Sequence, residues 1–166
     1  TLVTSQQTVS LAGVSSPEVV FSFGFITGET PGPGTFLDSF TVSFQSPALS
    51  TVAVLVTVDG SGPLWLPSTT GGLVLGDSQI QRQIITPPAD APVFGGGTAY
   101  QVGVLLPVAL LGPTLNVTFD LFDNQNGINS LGWYQGLQVV SVPEPRTGVL
   151  VGLVLIIVAL KKCVGR

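Results

Sequence analysis

The sequence predicts an all-β protein, an antiparallel β-sandwich of jelly-roll-like form followed by one C-terminal hydrophobic α-helix. Three observations carry this: period-two alternation of apolar residues in several short segments, Gly and Pro between those segments, and one uncharged apolar run near the end. The 166 residues include 21 Gly and 13 Pro; hydrophobic residues make up 45% and charged residues 8%. That composition is too apolar and too poor in charge for disorder, and its Thr, Val and Phe favour strands over helices. No repeat of fixed period runs through it. One domain with an appendage is expected, and about 140 residues can bury a core without disulfides.

Leu2 to Leu11, rich in Thr, Val and Gln, reads as a first strand with partial alternation. In the next, Val19, Phe21, Phe23 and Phe25 share one face while Ser22 and Gly24 lie on the other. Phe40, Val42 and Phe44 alternate with Thr41 and Ser43; Leu115, Val117, Phe119 and Leu121 alternate with Asn116, Thr118 and Asp120. Each pattern places one face on a core and one in solvent. Thr51 to Val58 is nearly continuously apolar, which predicts a central strand covered on both faces. Leu73–Leu75, Gln79–Ile85, Tyr100–Leu106 and Trp133–Val140 are weaker strand candidates. Turns are expected at Thr30–Gly34, Asp59–Pro63, Thr86–Pro88 and Gly95–Gly97. The total is eight or nine short strands, with a core built on Phe21, Phe23, Phe25, Phe36, Phe40, Phe44 and Phe119.

Charge is distributed unevenly. Residues 1–142 carry eight acids (Glu18, Glu29, Asp38, Asp59, Asp77, Asp90, Asp120, Asp123) and one base, Arg82, a sum of −7. Lys161, Lys162 and Arg166 give the last six residues a charge of +3. A body with one base cannot neutralise several phosphates, which excludes nucleic acid as a partner. The chain starts at Thr1 without a Met or a charged leader, so an export signal is expected to have been removed, leaving the N-terminus on the non-cytoplasmic side. Its single cysteine, Cys163, lies beyond the apolar run, either as a juxtamembrane acylation site or as an incidental thiol.

The tail has three parts. Val142 to Arg146 contains two prolines, which remove backbone donors and end any strand. Thr147 to Leu160 is fourteen residues without charge; its apolar side chains are Val149, Leu150, Val151, Leu153, Val154, Leu155, Ile156, Ile157, Val158 and Leu160. As a helix this run covers about 21 Å against a hydrocarbon core of roughly 30 Å, a shortfall that snorkelling by Arg146 and Lys161 reduces. The terminal bases place the C-terminus in the cytoplasm. The expected divisions are 1–141, a sandwich ectodomain; 142–146, a linker; and 147–166, the helix with its basic end. Pro143, Glu144 and Pro145, followed by this apolar run and a basic end, resemble the PEP-CTERM sorting signal of exported Gram-negative proteins. The resemblance covers about 25 residues; its basic end carries Lys-Lys where an arginine cluster would match more closely. It implies export, transient or retained membrane insertion, and recognition by exosortase, a membrane-embedded cysteine-dependent enzyme. The β body is more loosely similar to sandwich ectodomains that precede such tails. An ordinary single-pass anchor behind a rigid linker is the alternative reading.

Catalytic chemistry is not in evidence. The chain has no His, and no Lys or Cys before residue 161, so nothing in the body could activate a Ser or Thr nucleophile. Asp120 and Asp123 are the only close carboxylate pair, and the stretch from Asp120 to Gly127 does not fit the calcium-loop spacing. Gly95–Gly97 lacks the Lys and helix of a phosphate loop. No catalytic residue, cofactor or metal is therefore assigned. Asn116-Val-Thr118 is a candidate glycosylation site, and Trp65, Trp133 and Tyr134 are either a sugar-stacking platform or packing residues. The expected function is that of an exported, non-enzymatic structural protein of the cell surface or biofilm matrix. Its partners would be itself, as a homo-oligomer or filament favoured by low charge, and a membrane or sorting enzyme through the tail. An envelope-tethered carbohydrate-binding sandwich is the alternative; a hydrolase using Asp120 and Asp123 is the third reading.

Overall fold

Alternating apolar residues become alternating burial. The computed structural model describes residues 1–32, 36–47, 51–65, 75–89, 91, 98–125, 127 and 129–142. Among them are nine strands: β1 (Leu2–Ser10), β2 (Pro17–Thr27), β3 (Ser39–Ser46), β4 (Thr51–Asp59), β5 (Gly62–Trp65), β6 (Ile80–Ile85), β7 (Thr98–Leu105), β8 (Thr114–Phe122) and β9 (Ser130–Ser141). All pairings are antiparallel. They form a five-stranded sheet in the order β1-β8-β3-β4-β5 and a four-stranded sheet in the order β6-β7-β2-β9.

The inward rows fill the space between the sheets. Val19, Phe21, Phe23 and Phe25 of β2 are buried, as are Phe40, Val42 and Phe44 of β3 and Leu115, Val117 and Phe119 of β8. The rings touch across the gap: Phe21 lies 5.6 Å from Phe119 and 6.5 Å from Phe44, edge to face, and Phe23 stacks on Phe40 at 5.9 Å. Each buried Phe contributes roughly 1.5–3 kcal/mol of transfer free energy, so this aromatic layer is the main cohesive element.

Four expectations need correction. Phe36 is not core: it is 86% exposed in the connection before β3, where its carbonyl accepts a 2.6 Å hydrogen bond from Asn124 Nδ2. The apolar run of β4 does not reflect cover on both faces. Val42 lies opposite Val56 but Ser43 opposite Val54, so Leu55 is the extra residue of a bulge. Before the bulge Ala53 and Leu55 point inward; after it Val56 and Val58 do, while Val52 and Val54 are only half-buried. The turn at Asp59–Pro63 is shorter than its composition suggested, because Gly62 and Pro63 already belong to β5 and pair with Asp59 and Val58. Finally, Leu75 is buried but lies outside any strand, ahead of a 3-10 turn at Asp77–Gln79; Leu73 and Val74 lie outside the described residues.

β9 is the last strand among the described residues. β9 ends at Ser141, and the Val142 N–H donates to the Ser16 carbonyl at 3.2 Å.

Candidate functional site

The two open long sides of the sandwich place the aromatic residues singled out in the sequence. On one side, between β1 and β9, Tyr134 points inward. Its ring lies parallel to Phe119 with centroids 3.6 Å apart, and its hydroxyl bonds Ser5 Oγ at 2.7 Å and accepts from Gln7 Nε2 at 3.1 Å. On the other side, between β5 and β6, Trp65 packs edge to face on Tyr100 at 5.2 Å, and the Arg82 guanidinium sits 5.4 Å from its ring centroid. Both aromatics are thus half-buried seals.

Trp133 alone of the three faces outward. Alternation sets it opposite to Tyr134, and a bulge follows farther along β9: Ser22 lies opposite Gln135 and Val20 opposite Gln138, so Gly136 and Leu137 together oppose Phe21. Gly136 has φ 66°, a left-handed conformation that L side chains resist, and this turn of the backbone re-phases the strand. The platform of three aromatics weighed from the sequence is therefore not formed.

The outer face of the four-stranded sheet is the better-shaped surface. The register sets Gln83, Gln101, Ser22 and Gln135 in one row across all four strands, and Gln81, Gly103, Val20 and Gln138 in the next. Long amides stand on the outer strands β6 and β9 and at Gln101 of β7, while Ser22, Gly103 and Val20 keep the rest of the floor lower. At one end the Trp133 indole covers Gly24, its Nε1 only 2.5 Å from where a Cβ would sit. At the other end the Glu18 carboxylate lies over Gly103, beside a 290 Å³ depression lined also by Gln81, Arg82, Gln83 and Gln101. Among the described residues, no side-chain hydrogen bond joins these glutamines to one another or to a neighbour.

The outer face of the five-stranded sheet is self-satisfied by contrast. Thr4 Oγ1 donates to Asp120 Oδ1 at 2.6 Å, Gln6 Nε2 to Thr118 Oγ1 at 3.2 Å, and Thr8 Oγ1 to Asn116 Oδ1 at 2.9 Å; the Thr41 and Thr57 hydroxyls are 3.0 Å apart. The candidate glycosylation residue Asn116 stands in this ladder, on the solvent side of β8 as its alternation implied.

The carboxylates weighed for hydrolysis have separate structural roles. Asp120 holds Thr4, while Asp123 caps its own turn by accepting from Gln125 N at 2.7 Å. The acids that the sequence did not single out are Glu29 and Asp38, both buried. Asp38 Oδ1 accepts from Asn124 N at 2.8 Å and Oδ2 from Ser130 Oγ at 2.6 Å; Glu29 accepts from Asn124 Nδ2 at 2.9 Å and from the Asp38 N–H. Such charge-assisted bonds compensate the burial of both carboxylates and fasten one end of the sandwich. Glu29 follows Gly28 and carries no apolar signal of burial, whereas Asp38, set between Phe36-Leu37 and Ser39-Phe40, offers a weak one. Among the described residues, no three Asp, Glu, His or Cys side chains cluster as metal ligands would.

The candidate sorting residues Pro143, Glu144 and Pro145, the apolar segment from Val149 to Leu160, and the bases Lys161, Lys162 and Arg166 lie outside the described residues. No helix among the described residues is long and apolar enough to cross a membrane. Comparison with protein families, with curated proteins and with solved structures finds no match.

Proposed function

We propose that this chain is an exported, non-enzymatic structural protein of the cell surface or extracellular matrix, the subunit of a homopolymeric filament. In this reading the jelly-roll-like sandwich, suggested by the nested pairs β1·β8 and β2·β7, stands outside the cell. A single C-terminal helix, introduced by Pro143-Glu144-Pro145, holds it in a membrane or against neighbouring tails.

The observation that carries the proposal is that the described residues close a two-sheet sandwich by residue 142, ahead of the tail. Its last strand ends at Ser141, its core is drawn from Leu11 to Phe119 with Val139 packed against it, and Val142 is tied back to Ser16. In this reading the apolar run that follows serves a bilayer or a second chain. The structural use of Asp38, Glu29, Asp120 and Asp123 supports a non-catalytic role. Electron microscopy of full-length material is expected to show regular filaments; a uniformly monomeric population overturns the polymer. Mass spectrometry of surface material from cells with a matching exosortase is expected to find a C-terminus near Pro143–Arg146, and retention of all 166 residues removes the processing step.

A second reading, an envelope-tethered glycan-binding module, is favoured by the outward Trp133 and the glutamine-lined trough. Amides offer both donors and acceptors to sugar hydroxyls, and an indole offers a stacking surface. A glycan array blank for the native chain, or binding unchanged in Trp133→Ala, excludes it.

A further inference from the structure

The two sheets expose four edge strands, and three of them carry recognisable protection against pairing with another chain. β5 is four residues long and contains Pro63. β6 is six residues long, carries Arg82, and is followed closely by Pro87 and Pro88. β9 is long but bulged at Gly136, which interrupts its register. Short length, charge, proline and bulges are the devices that stop an edge from templating a new strand.

β1 has none of them. It runs nine residues, Leu-Val-Thr-Ser-Gln-Gln-Thr-Val-Ser, with no charge, no Pro and no Gly. Its register with β8 is unbroken from Leu2 opposite Phe122 to Ser10 opposite Thr114, so the strand presents an even row of backbone donors and acceptors on its far side. Among the described residues no backbone hydrogen bond reaches that far side from another strand. Apolar side chains are exposed along it as well: Leu2 is 61% and Val3 58% exposed, and Phe122, directly opposite Leu2 on the same outer face, is 44% exposed.

We propose that β1 is the self-association edge of this protein, pairing antiparallel with β1 of a second copy to join two five-stranded sheets into one of ten strands. The occupant is a second copy because the strand matches itself: it is uncharged throughout, so two antiparallel copies meet without like-charge contacts, and its outward Thr4, Gln6 and Thr8 can pair with one another across the seam as Gln6 pairs with Thr118 of β8. Pairing of this kind is two-fold and closed, so it creates a dimeric unit and leaves polymer growth to a different contact. The inference rests on the assembling-subunit reading above and specifies one of its interfaces.

Cross-linking tests it in the full chain, solubilised in a nonionic detergent, with Cys163→Ser removing the only native thiol. Single cysteines placed at Thr4, Gln6 and Thr8 sample the central positions of β1; Leu64→Cys, exposed on β5 at the opposite edge, measures random collision. At least one β1 position is expected to form disulfide-linked dimers roughly tenfold faster than Leu64→Cys, since cross-strand neighbours lie within disulfide reach. In a cysteine-free chain, Thr4→Lys with Gln6→Lys is expected to reduce the dimer population in analytical ultracentrifugation at least tenfold. Thr4→Ser with Gln6→Thr, which adds no charge, should retain it. Unchanged tryptophan fluorescence in both double variants shows that the sandwich is intact. Equal cross-linking at β1 and β5, or undiminished dimers in the lysine variant, overturns the proposal. Filaments that persist in the lysine variant after its dimers are lost would uphold the β1 interface and assign polymer growth to the other contact; β1 dimers without filaments would refute the polymer and uphold the interface.

Discussion

The β1/β9 side and the β5/β6 side of the sandwich solve one problem with different chemistry. Each leaves the inner layer open to water, and each is sealed by one aromatic side chain with a polar partner. Tyr134 is fixed by neutral hydrogen bonds to Ser5 and Gln7, whereas Trp65 is covered by the guanidinium of Arg82, the sole base of the body. The seals are also connected: Tyr134 stacks on Phe119, Phe119 meets Phe21 and Phe40, these meet Phe23, and Phe23 touches both Trp65 and Tyr100. A continuous aromatic path therefore crosses the molecule from one side to the other. The difference between its ends is that one seal is directional and the other is not. A hydrogen bond must be made at the right angle, while a cation over a ring tolerates sliding.

Substitutions can break this comparison, beginning at the shared centre. Phe21→Ala, which removes a fully buried ring from the middle of the path, is expected to cost about 3–5 kcal/mol in chemical denaturation of the full chain. Amide exchange should then quicken on both sides together. Faster exchange on one side alone would mean that the path is not mechanically continuous. Tyr134→Ala is expected to cost about 2–3 kcal/mol and to loosen β1 and the edge of β9 before β5 and β6. Gly136→Ala should cost about 1–2 kcal/mol, since a Cβ is forced into the left-handed region; a neutral result would show that the bulge relaxes. Tyr134→Phe keeps the ring and removes the hydroxyl, and about 1 kcal/mol is expected. The smallest effect belongs to Arg82→Gln, about 0.5–1 kcal/mol, because the guanidinium is exposed to solvent. If Arg82→Gln proves as costly as Tyr134→Ala, the two seals are equivalent and the distinction drawn between them fails.

What the sequence revealed depended on whether a strand kept its phase. β2, β3 and β8 were legible because their inward Phe, Val and Leu alternate over at least five residues. β4 and β9 were harder because a bulge reverses the inward parity midway, and period two cannot see an inserted residue. Trp133 and Tyr134 precede the bulge and take opposite faces by simple alternation, whereas beyond it Leu137 and Val139 are the residues that pack on the core. The glutamine row was invisible for another reason: Gln83, Gln101 and Gln135 are brought together only by register between strands far apart in the chain. The buried pair Glu29 and Asp38 was equally hidden, since their partners Asn124 and Ser130 lie roughly ninety residues away and come into reach only once β8 and β9 are in place.

Those long separations also have a kinetic consequence. Leu2 must find Phe122 and Pro17 must find Ser141 before either sheet has its full set of strands. Closing loops of that length costs entropy before contacts repay it, and sheets dominated by such pairings fold in milliseconds to seconds, not microseconds. A chain that closes slowly keeps its unpaired strand edges open for longer, and in that interval association with other chains competes with folding.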